Sequence, residues 1–190
     1  MIAPTLAPPD ADSKPLLTAE DLLALQGRGR FELVKGKVIE MSPPGFEHGT
    51  IAMTLGELIA SHVRRNKLGR VLAAETGFRL SRNPDTVRAP DVAFVSNERL
   101  PAKLPKGYAD FAPDLIAEVV SPGDDPDDIQ TKITEWLNAG VRLALVVYPS
   151  SRQIAVYRSL RDVIILTDSD TLTADNILPG LSIPLASIFS

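Results

Sequence analysis

Two carboxylates stand where a folding chain does not place charge without a reason. Asp91, preceded by Pro90, heads the apolar run Val92-Ala93-Phe94-Val95, and Glu118 lies inside the run from Leu115 to Val120. An ionised carboxylate buried without a partner loses much of its hydration energy, so each must be compensated. With Lys132 following on the next helix, the pair points to a divalent cation rather than to two separate salt bridges. Hard cations take oxygen ligands and keep several waters, so two carboxylates with a carbonyl and water make a plausible Mg²⁺ site. The plainer alternatives are a strand-start hydrogen-bond acceptor for Asp91 and a buried ion pair for Glu118.

Lys132 lies fourteen positions after Glu118, on a helix that must fold back over the strand. Its ammonium can stabilise developing negative charge or orient an attacking water; otherwise it pairs at the surface with Asp128, one helical turn earlier. Trp136 follows one turn later and either packs over the lysine stem or fills the core. Glu32, in the short run Phe31-Glu32-Leu33-Val34, is a third acidic ligand or the outward residue of an edge hairpin. His48, at a helix start, is a candidate general base, metal ligand or phosphate-binding group. His62 is fourteen residues further along the same helix, roughly 21 Å away, so the two histidines cannot share one ion.

Several chemistries are excluded. The chain has no cysteine, which rules out disulfides and thiolate metal sites and leaves oxygen or imidazole ligands, hence Mg²⁺ or Mn²⁺. The acidic run Asp124, Asp125, Asp127 and Asp128 lacks the order of an EF-hand loop and suits a helix start. No phosphate loop, GxGxxG, GxSxG or HExxH is present. A net charge of −4 argues against coating by nucleic acid through bulk charge. A local basic face remains open, from Arg64, Arg65, Lys67 and Arg70 or from Arg79, Arg82 and Arg88, against the alternative of ordinary solvated charges. No apolar run approaches the roughly 18–20 residues of a membrane span, and Met1 to Leu17 does not read as a signal peptide, so a cytoplasmic protein is expected.

The elements that must position these groups follow from periodicity. Residues 1–17, with four prolines, read as a flexible tail, and 18–190 as a single domain. Thr18 and Asp21 form a capping box for a short helix ended by Gly27 and Gly29, and 31–34 with 37–41 form a hairpin about Lys35-Gly36. Ile51, Leu55, Leu58, Ile59 and Val63 give a helix over 47–66. One strand interrupted at Gly77 is expected over 71–80, then the Asp91 strand, a Pro- and Lys-rich loop at 101–107 and the Glu118 strand. A helix over 126–139 has Pro126 in its first turn and Gly140 as its stop. The unbroken apolar run 143–147 reads as a strand buried on both faces, followed by a closing hairpin (154–157 and 163–167) and an apolar finish at 179–189. The class is α/β or α+β, with helices packed on a sheet.

In this order the residues resemble the Uma2 family, a domain of unknown function abundant in cyanobacteria, within the restriction-endonuclease-like PD-(D/E)XK superfamily. The matching pieces are Phe31-Glu32-Leu33-Val34-Lys35-Gly36, His48 before a helix, Ala89-Pro90-Asp91-Val92, the run from Pro113 to Pro122, and Asp128 with Lys132 before Gly140-Val141. The resemblance spans roughly residues 18–189. It implies a core of helix, three strands, helix and strand in a mixed sheet, with flanking β-hairpins. It further implies Asp91 and Glu118 as metal ligands, Lys132 as the active-site lysine, and Glu32 and His48 as further contributors. The superfamily's lysine usually sits two residues after the glutamate, where this chain has Val120, so Lys132 would be a migrated equivalent. Leu143-Ala144-Leu145 and Tyr148-Pro149 depart from the family's Glu-Tyr-Trp and Asp-Pro, and Trp136 stands where tyrosine is common. The activity implied is that of an Mg²⁺- or Mn²⁺-dependent endonuclease hydrolysing DNA phosphodiester bonds. The rival reading is a catalytically inactive nuclease-fold protein that binds nucleic acid or a protein partner. The exposed hairpins could support a homodimer.

Overall fold

The structure, a computed structural model, describes residues 15–190. Most of the expected tail therefore lies outside the described residues, but its last residue is not loose: Leu17 donates its amide to Gly36 O at 2.8 Å. Helix α1 (Ala19–Leu23) carries the expected capping box, with Thr18 and Asp21 satisfying each other's amides. Strands β1 (Phe31–Val34) and β2 (Lys37–Glu40) form the expected antiparallel hairpin. Lys35 and Gly36 both take positive φ, the mirror-image turn whose twist matches its strands.

Helix α2 (Phe46–Asn66) buries Ile51, Leu55, Ile59 and Val63, one residue per turn, and Arg64 and Arg65 complement its C-terminal end. Next come β3 (Gly69–Ala73), β4 (Phe78–Ser81), β5 (Thr86–Arg88), β6 (Val92–Ser96) and β7 (Leu115–Val119). Helix α3 (Pro126–Asn138) precedes β8 (Leu143–Tyr148), and the chain closes with β9 (Gln153–Ser159), β10 (Asp162–Leu166), β11 (Thr171–Ala174), β12 (Leu178–Pro184) and a 3-10 turn.

Six strands form the central sheet in the order β10-β9-β8-β7-β6-β3, with β7 and β8 parallel across the α3 crossover and the other pairs antiparallel. The succession α2, β3, β6, β7, α3, β8 is the expected core of helix, three strands, helix and strand. A second sheet, β2-β1-β5-β4, and the β11-β12 pair flank it. The strand expected over 71–80 is instead two strands in different sheets. The chain turns between them at Glu75, which has positive φ, and Gly77 sits so close to Tyr108 that a Cβ would lie 2.4 Å from its ring. The short β5, too brief to display a period, and the β11-β12 pair, whose second strand overlaps the apolar finish of 179–189, add to the expected strands.

Alternation along β6 and β7 sorts their side chains between two layers. Val92, Phe94, Leu115, Ala117 and Val119 join the α2 stripe in one core. Ala93, Val95 and Ile116 join Ile133 and Trp136 of α3 in the other. Leu143 to Val147 is buried throughout, as a strand covered on both faces must be. Among the described residues no helix is long and apolar enough to cross a membrane.

Candidate active site

The β6–β7 register pairs Val92 with Ala117, and one further step sets Asp91 opposite Glu118. The two carboxylates that stood apart in the sequence thus meet at one edge of a cleft of about 880 Å³, which Glu32, His48, Ser121 and Lys132 also line.

Asp91 is held by the backbone on one oxygen and by a ring on the other. Its Oδ2 accepts the Val119 amide at 2.8 Å, and its Oδ1 lies 3.1 Å from His48 Nε2. A carboxylate only accepts, so Nε2 carries hydrogen. In the neutral ring Nδ1 then accepts the Ser121 hydroxyl, whose oxygen lies 3.0 Å away. The bond to Asp91 raises the His48 pKa above its ordinary value; burial opposes this, and the charges of Asp91, Asp124 and Glu118 assist it. His48 reaches this place because it lies in the first turn of α2, directly after the break at Pro43-Pro44-Gly45.

Glu118 points to the α3 side of the sheet. Its Oε2 accepts Lys132 Nζ at 2.9 Å and its Oε1 accepts Trp136 Nε1 at 3.0 Å. Lys132 and Trp136 are four residues apart and therefore share a helix face. Burial, with Asp91 and Glu32 nearby, pushes the Glu118 carboxyl up to about 7, against the pull of Lys132. Lys132 itself is raised: burial works against its charge, and Glu118 and Glu32 more than offset that. Its ion pairs are these two carboxylates, at 2.9 and 3.5 Å, and not the surface pair with Asp128. Trp136 is wholly buried and packs edge-on to Phe78, so it fills the core and donates to Glu118 at once.

The network continues inward. Glu32 is 3% exposed on β1, an interior strand of its sheet, which overturns the outward-hairpin alternative. It accepts Arg88 Nη1 at 2.7 Å and the Ala89 amide at 3.0 Å. Burial alone would raise its pKa, yet Lys132, Arg88 and that amide bring it below the ordinary value. Arg88 also holds Glu135 at 2.7 Å. The basic face considered around Arg79, Arg82 and Arg88 is thus not free. Arg88 is buried in this ladder, and Arg79 and Arg82 both pair with Asp110. Their carboxylate partners are remote in sequence, which is why composition alone left them looking solvated. Arg64, Arg65, Lys67 and Arg70 are exposed. The 101–107 loop does not line the cleft, although Tyr108 beyond it does.

All five candidate residues, Glu32, His48, Asp91, Glu118 and Lys132, are thus brought to one cleft. His62 is elsewhere, near Pro179 O. Sequence reasoning missed Ser121, Arg88 as a site residue, and Glu135. Ser121 stands before Pro122-Gly123, where a serine reads as turn chemistry, and only its proximity to His48 distinguishes it.

The chemistry of the donor set accommodates a cation. Glu32, Asp91, Glu118 and Glu135 face Arg88 and Lys132, four carboxyl groups against two basic side chains, with His48 beside Asp91. Of these four carboxylates, Asp91 and Glu118 are the two that no arginine pairs with. Among the described residues no group of three or more His, Cys, Asp and Glu side chains is arranged to hold a metal, so a cation here would draw on these two carboxylates with carbonyl, water or substrate oxygens.

Comparison with known proteins bears on both fold and site. The model of the Uma2 family, described as "Putative restriction endonuclease", matches residues 19–186. Among solved structures, a "putative nuclease belonging to DUF820" from Anabaena variabilis aligns with a TM-score of 0.78 at 20% identity, covering 91% of this chain and 97% of that one. The likeness establishes the restriction-endonuclease-like fold. No curated protein matches the sequence.

Proposed function

Since the chain belongs to the Uma2 family, we propose that it is a nuclease that hydrolyses DNA phosphodiester bonds with Mg²⁺ or Mn²⁺ held by Asp91 and Glu118. The observation that carries this reading is the register setting these carboxylates opposite each other on an open cleft, with Glu118 pushed up to about 7. Burial raises this carboxyl despite its pair with Lys132, and a nearby divalent cation would favour its ionised form further.

A divalent cation held by Asp91 and Glu118 would supply Lewis acidity toward a phosphate oxygen and lower the pKa of bound water. The chain's own groups do the rest. Val119 N–H and His48 fix the plane of Asp91, so its remaining lone pairs have a set direction. Lys132 spends donors on Glu118 and Glu32 and keeps one ammonium hydrogen for charge developing on a phosphate oxygen. Glu32, tied to Arg88 and the Ala89 amide, holds Lys132 over the cleft. His48 can take or give a proton at Nδ1, where Ser121 keeps the ring oriented.

Cleavage of plasmid DNA in Mg²⁺ and Mn²⁺, with calorimetric titration of each metal, tests the reading. Asp91→Ala is expected to abolish metal binding and cleavage while circular dichroism stays native; unchanged cleavage by that variant sinks the assignment. One observation favours a second reading, a nuclease-fold protein that binds nucleic acid or a protein partner without cutting: both Glu118 oxygens already have donors in Lys132 and Trp136. It requires salt-sensitive binding or a partner, and no divalent-dependent cleavage.

A further inference from the structure

Phe46 is 93% exposed, the largest exposure among the apolar side chains of the described residues that face solvent. It opens α2, where an aromatic gains nothing from helix propensity and here packs on no core. It borders two concavities, the acidic cleft and a second one of about 260 Å³ lined also by Glu47, Thr50, Pro149, Arg152 and Phe189.

The chemistry of that second pocket is selective. The Arg152 guanidinium lies over the Phe189 ring, 5.3 Å from its centroid, and is held by both oxygens of Asp168 and by Phe189 O. Its charge is already matched by Asp168, so the pocket has little to offer a free phosphate. What it presents is flat: an aromatic face at Phe46, and a guanidinium stacked on a second ring. Flat π surfaces of this kind take nucleobases, and they take any base because every base has a π face.

Resting on the nuclease reading, we propose that this pocket receives an unpaired nucleobase of the strand whose phosphate enters the acidic cleft, stacked against Phe46. In an intact duplex both faces of a base are covered by its neighbours, so the substrate class this selects is single-stranded, flapped or locally unpaired nucleic acid. Phe46 is then a positioning residue. It holds the nucleotide beside the scissile phosphate and takes no part in the chemistry.

The test uses the full chain in EDTA, so that nothing is cut, and a single-stranded oligonucleotide carrying 2-aminopurine. Wild type is expected to quench the 2-aminopurine fluorescence on binding. Phe46→Ala should lose the quench and bind about tenfold more weakly, within the range of one base stacked on one aromatic ring. Phe46→Trp should retain both. Equal quenching and affinity in Phe46→Ala and wild type overturn the pocket and leave the nuclease reading intact, as does wild-type binding of duplex but not of single strand. Failure of wild type to bind single strand overturns the pocket, and plasmid cleavage in Mg²⁺ or Mn²⁺ then decides the nuclease reading on its own.

Discussion

The two faces of the central sheet come from the same strands and are built on opposite terms. On the α2 face, β6 and β7 present only Val92, Phe94, Leu115, Ala117 and Val119, closed by Ile51, Leu55, Ile59 and Val63. On the α3 face, Ala93 and Ala144 are small beside Trp136, and β7 carries Glu118 in place of an aliphatic residue. One face is held by non-directional apolar burial and tolerates swaps of similar volume. The other adds named donors and acceptors to an apolar core of its own, so each polar partner there depends on the next. A strand that alternates between the two can carry a costly charge on one side because the other side alone suffices to hold it in the sheet.

That contrast can be broken in three places. Leu55→Ala, on the fully buried α2 stripe, should cost about 3–5 kcal/mol in urea unfolding. Metal affinity per folded molecule should not change; if it falls in proportion, the faces are coupled and the contrast fails. Lys132→Met should cost about 3 kcal/mol near pH 8, because it strands a buried carboxylate. The double variant Lys132→Met with Glu118→Leu should recover most of that loss, and an equally unstable double variant would show that Lys132 acts by packing instead. The third place is a pH dependence. Glu118 is raised in the folded protein to about 7 from an ordinary 4.5, so between these values the folded state binds the proton more tightly. The stability this contributes is complete below about 4.5 and lost as pH rises through 7, on the order of 3 kcal/mol. Urea midpoints of wild type and Glu118→Gln should therefore diverge between pH 5 and pH 8, and parallel profiles would count against the raised value.

Much of this was legible before any coordinates. The 3.6 period of α2 and the apolar runs of β6, β7 and β8 are the core, and Glu118 drew notice because it breaks one of those runs. The resemblance named Asp91, Glu118, Lys132, Glu32 and His48 together, and the fold brings all five to one cleft. What stayed hidden depends on contacts distant in sequence. Whether Glu32 is buried or exposed is decided by Arg88, the Ala89 amide and Lys132, which close on it from distant parts of the chain. Arg88 belongs to the site because Glu32 and Glu135 flank it. The split between β3 and β4 turns on Tyr108 filling the space beside Gly77, which no local period reveals.

Lys132 reaches Glu118 from the crossover helix instead of from the strand itself, and this shapes how the gene can change. An insertion or deletion of one residue in α3 ahead of Lys132 would rotate everything after it by about 100°. Lys132 and Trp136, the two donors to Glu118, would leave together. The connection from Ser121 to Asp125 is exposed over most of its length and can absorb length changes that keep the α3 contacts. Indels among related chains should therefore gather in that turn and be rare between Pro126 and Trp136, even where the amino acids between them differ.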